Sequence, residues 1–277
     1  MTAGAPPLAP TDTARDFLAP AVWRAVASLR LPAGAWVLDA GTGSGGALPA
    51  LARAAGRAGR VRGVDLDPAA VQEARAYVGR HGIQQVSVET ADALETAGLA
   101  ATDPGGGFDA IWAAELVARF ERPATAVAVL AEALRPGGVL ALFCANEQQA
   151  VLMPGHARLE RLARAALDRH ARAAVDASSL LPWLRAAGLE RLTLEAFPRV
   201  AFRADADPTA REHLEATVWP RLRAAVAADP SVDERDRADL LALSTPGGPR
   251  YALDEPGWYV LQPTIVATGR RGRAGRR

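Results

Sequence analysis

A glycine-rich turn placed directly after a short apolar segment constrains the fold of this chain more than any other feature. Residues 36–46 have the sequence WVLDAGTGSGG. Glycine accepts positive φ angles and, because it has no Cβ, lets the backbone approach a ligand closely. A helix that starts after such a turn presents free N–H groups and the positive end of its dipole. We therefore predict a buried strand, a ligand-binding turn and a helix, in that order.

Strand and helix patterns alternate through the first half of the chain, after an N-terminal helix expected over Thr11–Leu29. Apolar segments bounded by turn residues predict strands, and amphipathic segments between them predict helices. Such alternation predicts an α/β fold with a doubly wound, mostly parallel, Rossmann-like sheet. The expected strands are Trp36–Ala40, Val61–Asp65, Val86–Thr90, Ala110–Ala113 and Val139–Ala145, and the expected helices are Ser44–Ala55, Pro68–Gly79 and Ala124–Leu134.

The second half is less regular and predicts a helical elaboration of the sheet. Helices are expected over 158–175 and 178–187, and two more over 207–245. Two further strands, Leu189–Phe197 and Trp258–Thr268, would bring the sheet to seven strands. Pro263 lies inside the last of them and implies a bulge or an edge position there, because proline has no backbone N–H.

Composition excludes several classes of function. The chain contains no lysine, so all 32 basic residues are arginine. Schiff-base, P-loop and lysine-assisted dehydrogenase mechanisms are therefore excluded. Five arginines lie within 270–277, and because the whole chain carries a net charge of +1, the rest carries −4. An acidic body argues against a nucleic-acid partner.

Cysteine usage and hydropathy predict a soluble, cytoplasmic protein with no membrane partner. The single cysteine, Cys144, excludes an internal disulfide and is expected to be a small buried strand residue. The four histidines and this cysteine show no metal-ligand spacing, so no metal is expected. The N-terminus lacks a signal-peptide pattern, and no apolar stretch reaches ~18 residues.

Five motifs in a fixed order make the chain resemble the class I S-adenosylmethionine-dependent methyltransferases that act on small molecules. The motifs are VLDAGTGSGG, GVDLDP, ADAL, FDAIWAAELVARF and LRPGGVL, within about residues 35–145. The resemblance implies S-adenosylmethionine as cofactor and a small-molecule methyl acceptor. The aromatic residues of the second half and the acidic body favour an apolar or aromatic acceptor, such as a natural-product metabolite, over a nucleic acid. We expect an N-terminal helical lid (1–34), a cofactor-binding core (35–200), a helical insert that caps the substrate (201–257), the final core strand (258–270) and a disordered basic tail (271–277).

The resemblance also implies which residues hold the cofactor. Asp39 would reach its α-amino group or a neighbouring water, and Asp65, which lies 24 residues after Gly41, would accept both ribose hydroxyls. Asp92 would meet the adenine amino group, and the Ala93 backbone a ring nitrogen. The remaining contacts would come from the glycine-rich turn, from the residue after Asp65 and from the end of the fourth strand: Gly41, Thr42, Gly43, Gly45, Leu66, Ala113, Ala114 and Glu115.

Each of these assignments has a plainer alternative. Asp39 could cap the following helix, Asp92 could stabilise a turn, and Glu115 could be an ordinary solvated side chain. Asp67, directly before Pro68, is expected to be a helix N-cap rather than a ribose ligand.

His156 is the preferred general base. Methyl transfer from a sulfonium depends on alignment, and a base is needed only where the acceptor carries a proton. His156 follows the fifth strand by a short loop and is expected over the pocket, with helix capping or a surface position as the alternative. His170 and His213 are expected on solvated helix faces.

Six aromatic residues of the second half would line an acceptor pocket where they face inward, with ordinary core packing as the alternative. They are Trp183, Phe197, Phe202, Trp219, Trp258 and Tyr259.

Two rival functions stay open. Gly41, Gly43 and Gly46 satisfy the G-x-G-x-x-G pattern of a nicotinamide-dependent oxidoreductase, and Asp65 lies where its ribose-binding acid would. An aspartate before the turn, the LRPGG motif and the absence of lysine weigh against that class. A non-catalytic, cofactor-binding regulator is the other rival.

The helical segments 11–29 and 207–244 carry apolar stripes that need a partner surface. We expect both segments to cover the carboxyl ends of the strands. Burial of a sheet edge or a homodimer contact is the alternative.

Overall fold

A computed structural model of the chain describes residues 12–95, 100, 106–145, 149–170, 177–202 and 207–273. Its strands are β1 (Trp36–Ala40), β2 (Arg60–Asp65), β3 (Val86–Thr90), β4 (Phe108–Ala114), β5 (Leu134–Cys144), β6 (Glu190–Ala196), β7 (Arg199–Phe202), β8 (Tyr259–Gln262) and β9 (Ile265–Arg270). Its α-helices are α1 (Asp12–Ser28), α2 (Leu48–Ala55), α3 (Pro68–Arg80), α4 (Pro123–Glu132), α5 (Ala157–His170), α6 (Leu180–Ala186), α7 (Pro208–His213), α8 (Trp219–Ala228) and α9 (Glu234–Ser244).

Seven strands form one sheet in the order β3-β2-β1-β4-β5-β9-β6. Neighbouring strands are parallel except at β9, which runs antiparallel to β5 and β6. The predicted seven-stranded, mostly parallel α/β sheet is therefore confirmed. The register pairs Ala40 of β1 with Val64 and Ala113, so β1, β2 and β4 end side by side at one edge. We call this the carboxyl edge.

Helices cover both faces of the sheet because its central strands are apolar on both sides. Helices α1, α2 and α3 pack on one face, around Val37, Trp112 and Phe143. Helices α4 and α6 pack on the other face, around Leu38 and Ile111. Cys144 is buried at the end of β5, as predicted.

A separate apolar cluster forms a cap, which we define as residues 149–170, 199–202 and 207–262. Buried side chains of α5, α7, α8 and α9 meet there with those of the β7–β8 ribbon, and Phe17 of α1 joins the cluster. The cap therefore combines two segments of the chain, one before and one after β6. Although α5 falls within 35–200, the segment expected to form the core, its Leu159, Ala163 and Ala166 belong to the cap cluster.

The last predicted strand, Trp258–Thr268, is wrong in its extent. The chain instead forms β8 and β9, which belong to different sheets and are separated at Pro263. Proline cannot donate to a ladder, so the strand is interrupted there rather than bulged. β8 pairs antiparallel with β7, a four-residue strand that the sequence analysis missed.

Other boundaries shift for identifiable reasons. Helix α2 begins at Leu48 rather than Ser44, because Gly43 and Gly45 keep φ angles of 53° and 88°, which no right-handed helix accepts. β5 begins at Leu134 rather than Val139, since a register shift against β4 accommodates the RPGG turn within the pairing.

The first residue of the basic tail contacts β5 and α4. The Arg271 backbone N–H donates to the Gly138 carbonyl at 2.9 Å, and its guanidinium donates to the Glu132 carbonyl at 2.7 Å. Disorder over 271–277 stays a prediction from the sequence. The segments 1–11 and 274–277 lie outside the described residues. No helix in the part of the chain that the structure describes is long and apolar enough to cross a membrane.

Candidate functional site

The glycine-rich turn connects β1 to α2 at the carboxyl edge. Gly41 has a φ of 71°, and a Cβ placed on it would lie 2.8 Å from Leu116 Cδ1. Glycine is favoured there because its φ is positive and because a Cβ would displace the Leu116 side chain. Gly43 also has positive φ (53°), but a Cβ on it would meet nothing within 4 Å. The turn is therefore closely packed at Gly41 and open at Gly43, where a ligand can approach the backbone.

Asp39 is the buried acid of the site. It is the penultimate residue of β1, is 1% exposed, and accepts a 2.6 Å hydrogen bond from the Thr42 hydroxyl. Burial raises the pKa of Asp39 to about 7; the Thr42 hydrogen bond opposes this rise and the charge of Asp65 adds to it. The N-cap of α2 is Ala47, so Asp39 does not cap that helix. A cationic group placed beside Asp39 would favour its ionised form.

Asp65 links the end of β2 to the glycine-rich turn. One carboxylate oxygen accepts from the Gly43 N–H at 2.8 Å, and the other accepts from the Asp67 N–H at 3.0 Å. Asp67 itself accepts from the Ala69 N–H at 2.9 Å as the N-cap of α3, which confirms its predicted capping role. Between the two acids, Leu66 is 66% exposed, so a large apolar side chain lies open at this edge.

Asp92 and Ala93 form the loop after β3. The Asp92 carboxylate accepts from the Leu94 N–H at 2.8 Å, so the turn-stabilising role expected as an alternative is present. The Ala91 N–H donates to the Asp65 carbonyl at 3.1 Å, which ties the loop to the end of β2. Ala93 is buried among apolar residues. The structure thus brings Asp39, Asp65 and the Asp92 loop to the same edge.

Glu115 follows β4 in a conformation that is uncommon for a residue other than glycine. Its φ is 51°, its backbone N–H donates to the Phe143 carbonyl at 3.0 Å, and its carboxylate accepts from the Ala145 N–H. The preceding Ala113 is buried and Ala114 half-buried. Glu115 is exposed yet bound to the backbone beyond β5, so it is not the ordinary solvated glutamate of the alternative.

Arg15 is a residue of this edge that the sequence analysis missed. It lies on α1, its guanidinium donates to the Ser44 carbonyl at 3.4 Å, and it stands 4.2 Å from the centre of the Tyr77 ring. The side chain is only 7% exposed. A largely buried cation therefore lies against the glycine-rich turn. Because 29 residues separate Arg15 from Ser44, no local pattern in the sequence indicates this contact.

His156 is held by the cap. Its Nε2 lies 2.8 Å from a carboxylate oxygen of Glu255, and the two side chains are 26% and 37% exposed. The His156 carbonyl also accepts a hydrogen bond from the Glu160 N–H at 2.9 Å, in the first turn of α5.

The prediction that His213 lies on a solvated face is wrong. Its side chain is 5% exposed, and its ring stacks on that of Phe17 with 4.7 Å between the ring centres. The side chain of His170 lies outside the described residues.

The six aromatic residues expected to line a pocket are distributed over different parts of the molecule. Trp219 and Trp258 are buried in the cap cluster, whereas Trp183 and Phe197 are partly buried on opposite faces of the sheet. Phe202 and Tyr259 are cross-strand partners in the β7–β8 ribbon and are 66% and 39% exposed. Four of the six therefore contribute to core packing, as the alternative to an acceptor pocket predicted, and the other two are exposed on the ribbon.

The carboxyl edge combines acidic acceptors, one buried cation and an exposed apolar side chain. Such a set suits a ligand that carries an ammonium group, neighbouring hydroxyls, a carboxylate and a flat apolar ring. Over the residues that the structure describes, no group of three or more histidine, cysteine, aspartate or glutamate side chains could hold a metal ion.

Comparison with known proteins finds similarity over part of the chain. Residues 37–138 match the family model of a methyltransferase domain. A ubiquinone biosynthesis O-methyltransferase of Xanthomonas axonopodis pv. citri is 30% identical over 162 residues, which cover 57% of this chain and 64% of that protein. The chain thus spans somewhat less than two thirds of the length of this relative. A ribosomal protein L11 methyltransferase of Syntrophotalea carbinolica is 37% identical over 122 residues, 44% of this chain and 36% of that protein.

A solved structure shares the fold. A putative methyltransferase from Bacillus halodurans superposes with a TM-score of 0.54 at 20% identity, over 90% of this chain and 98% of that one. At this identity the likeness concerns the fold alone.

Proposed function

We propose that the protein is a class I, S-adenosylmethionine-dependent methyltransferase that methylates a small, apolar or aromatic molecule, most simply on an oxygen. The match of residues 37–138 to a methyltransferase-domain model supports the methyl-transfer part of this proposal. The observation that carries this proposal is the placement of Asp39 and Asp65 on either side of the open glycine-rich turn. The O-methyltransferase name of the ubiquinone-biosynthesis relative supports an oxygen acceptor.

The residues of the carboxyl edge fit the cofactor group by group. Asp39 would bind the α-ammonium, Arg15 the α-carboxylate, and Asp65 the two ribose hydroxyls. Leu66 would pack against the adenine ring, with Asp92 and the Ala93 backbone at its edge. The backbones of Gly43 and Ala114 would line the methionyl part. When bound, S-adenosylmethionine supplies an electrophilic methyl group on its sulfonium, so the chain's own task is to align an acceptor and exclude water.

The cap supplies the second half of the proposal. We assign the acceptor to the space between the carboxyl edge and the cap, with α1 and the helices α7 to α9 as its cover. The O-methyltransferase relative, whose name refers to a small molecule, matches over 57% of this chain, whereas the L11 methyltransferase relative, which bears the name of a protein substrate, matches over 44%. A cytoplasmic location and a homodimer stay predictions from the sequence.

Binding of S-adenosylmethionine and S-adenosylhomocysteine is expected with dissociation constants in the micromolar range, on the order of −8 kcal/mol. Isothermal titration calorimetry with both compounds and with NAD⁺ and NADP⁺ tests this. Saturable binding of a nicotinamide nucleotide, with no heat from either sulfur compound, would transfer the assignment to the oxidoreductase rival. Binding of the cofactor without methyl transfer to any of a panel of phenols, catechols and hydroxylated quinones would favour the regulatory rival.

His156 is the proposed base for an acceptor that carries a hydroxyl proton. A carboxylate bonded to one ring nitrogen orients the imidazole, and Glu255 is placed to do this. His156→Gln is expected to lower kcat by about 10²-fold with a phenolic acceptor and to leave the affinity for S-adenosylhomocysteine unchanged. Steady-state kinetics on the best acceptor of the panel measures this. An unchanged kcat would leave the His156 side chain only its structural contact with Glu255.

A further inference from the structure

One arginine of the cap, Arg199 in β7, makes several contacts with the N-terminal helix and its surroundings. Its Nε donates to the Phe17 carbonyl at 2.9 Å, and its guanidinium carbon lies 5.1 Å from the centre of the Phe17 ring. One terminal nitrogen donates to the Val200 carbonyl at 2.6 Å, and the other pairs with the Asp207 carboxylate. Only 14% of the side chain is exposed.

Asp207 makes this arrangement rigid. It is the N-cap of α7 and accepts hydrogen bonds from the Thr209 hydroxyl at 2.7 Å and from the Ala210 N–H at 3.2 Å. The bonds from Thr209 and Arg199 hold the pKa of Asp207 below its usual range even though burial opposes this, so the ion pair persists at neutral pH. A planar guanidinium with fixed partners on several sides has little rotational freedom.

Helix α1, which carries Phe17, also places Arg15 at the glycine-rich turn. Phe17 and Arg15 lie two residues apart on α1, and Phe17 is fully buried between the Arg199 guanidinium and the stacked ring of His213. The Arg15 guanidinium, in turn, donates a hydrogen bond to the Ser44 carbonyl in the glycine-rich turn. A shift of α1 away from the cap would therefore also move Arg15 from the carboxyl edge.

We propose that Arg199 is a positioning residue for the cofactor site: it fixes α1 from the cap side, and thereby holds Arg15 where the carboxylate of the cofactor would bind. This inference rests on the proposed function. Arg199 does not itself touch the glycine-rich turn, and its contribution passes through Phe17. The cap, which is assigned to the acceptor, would thus also determine how well the cofactor is held.

A double-mutant cycle in the whole chain separates this role from a general structural one. We would measure the affinity of S-adenosylhomocysteine by calorimetry for wild type, Arg199→Met, Arg15→Met and the double variant. Methionine keeps most of the aliphatic packing and removes the guanidinium. Arg161→Met, on the exposed face of α5 in the cap, is the matched control. Thermal unfolding of each variant records the structural cost separately.

Arg199→Met is expected to weaken binding about fivefold to twentyfold, and the double variant no more than about twofold beyond Arg15→Met alone, because residues that act through one another are not additive. Arg199→Lys should bind more tightly than Arg199→Met and more weakly than wild type. Lysine keeps the positive charge beside Asp207 but lacks the planar guanidinium with its several N–H donors. Arg199→Lys also serves as the test variant where Arg199→Met does not fold. Arg161→Met should bind like wild type.

Other outcomes are distinguishable. Equal affinities for wild type and Arg199→Met, or losses that multiply in the double variant, would overturn the inference while leaving the proposed function intact. A folded wild type that binds no S-adenosylhomocysteine would overturn the proposed function, and with it any cofactor role for Arg199.

Discussion

Replacing Asp39 with asparagine is expected to stabilise the protein at pH 8 and at the same time to weaken its affinity for S-adenosylmethionine. Both effects follow from the burial of this carboxyl at the end of β1, where its pKa is raised to about 7. The asparagine would still accept the Thr42 hydroxyl through its amide oxygen, so the 2.6 Å hydrogen bond has a replacement.

The pH dependence has a definite sign. Between about pH 4 and pH 7 the native protein keeps a proton on Asp39 that the unfolded chain has already lost, so stability falls as pH rises through this window. The rise from 3.8 to about 7 corresponds to a cost of about 4 kcal/mol at most above pH 7. Asparagine has no such cost, so the variant should gain stability at pH 8 and little at pH 4.

Thermal unfolding at pH 4, 6 and 8 measures this directly. An increase in Tm of at most about 8 °C at pH 8 is expected, because a gain of about 4 kcal/mol at most corresponds to about 2 °C per kcal/mol in a chain of this size. Calorimetry should show the affinity for S-adenosylmethionine reduced about 30-fold to 150-fold, the loss of a charge-assisted bond to a cation. At pH 6 the wild type should release about one proton on binding and Asp39→Asn none. A variant that is destabilised equally at every pH would show that Asp39 is a structural residue.

Asp65→Ala is expected to weaken cofactor binding by about 1.5–3 kcal/mol, because two ribose hydroxyls lose a charged acceptor. The carboxylate also accepts from the Gly43 and Asp67 N–H groups, so the variant should lose some thermal stability as well. Asp65→Asn separates the two effects, since its amide oxygen can still accept one of these bonds. Calorimetry with S-adenosylhomocysteine gives the affinities.

Asp67→Ala is the matched control, two residues further along the same turn. Asp67 caps α3 through the Ala69 N–H, so its replacement should cost about 1 kcal/mol of stability and leave affinity nearly unchanged. If Asp67→Ala lowers the affinity more than Asp65→Ala does, Asp67 and not Asp65 binds the ribose, and our assignment is wrong.

The strand ends could be predicted from the sequence because local patterns determine them. β1 and β3 have the bounds expected from their apolar segments, and the N-cap role of Asp67 follows from its place before Pro68. Because β1 and β2 are parallel, Asp39 and Asp65, which lie at the carboxyl ends of these strands, must lie at one edge of the sheet. Their roles toward a ligand stay predictions.

The contacts that the sequence could not supply join distant segments. Arg199 meets Phe17 across 182 residues, and His156 meets Glu255 across 99. His213 was assigned to a solvated face because it lies in an Arg-rich stretch, yet Phe17 of α1 stacks on its ring. Which face of such a helix is buried depends on tertiary packing, and no periodicity in the helix itself contains that information.

The insertion of β9 between β5 and β6 has a consequence for synthesis of the chain. In the described sheet β6 pairs with β9 alone, and β9 is the last of the seven strands to be synthesised. While the ribosome still holds residues 265–270, β5 and β6 have open, hydrogen-bonding edges, and the exposed Leu194 lies on one of them. Unpaired edges invite association with other chains. The nascent protein is therefore most prone to aggregate just before β9 emerges, and a chain that terminates short of Ile265 would keep that liability permanently.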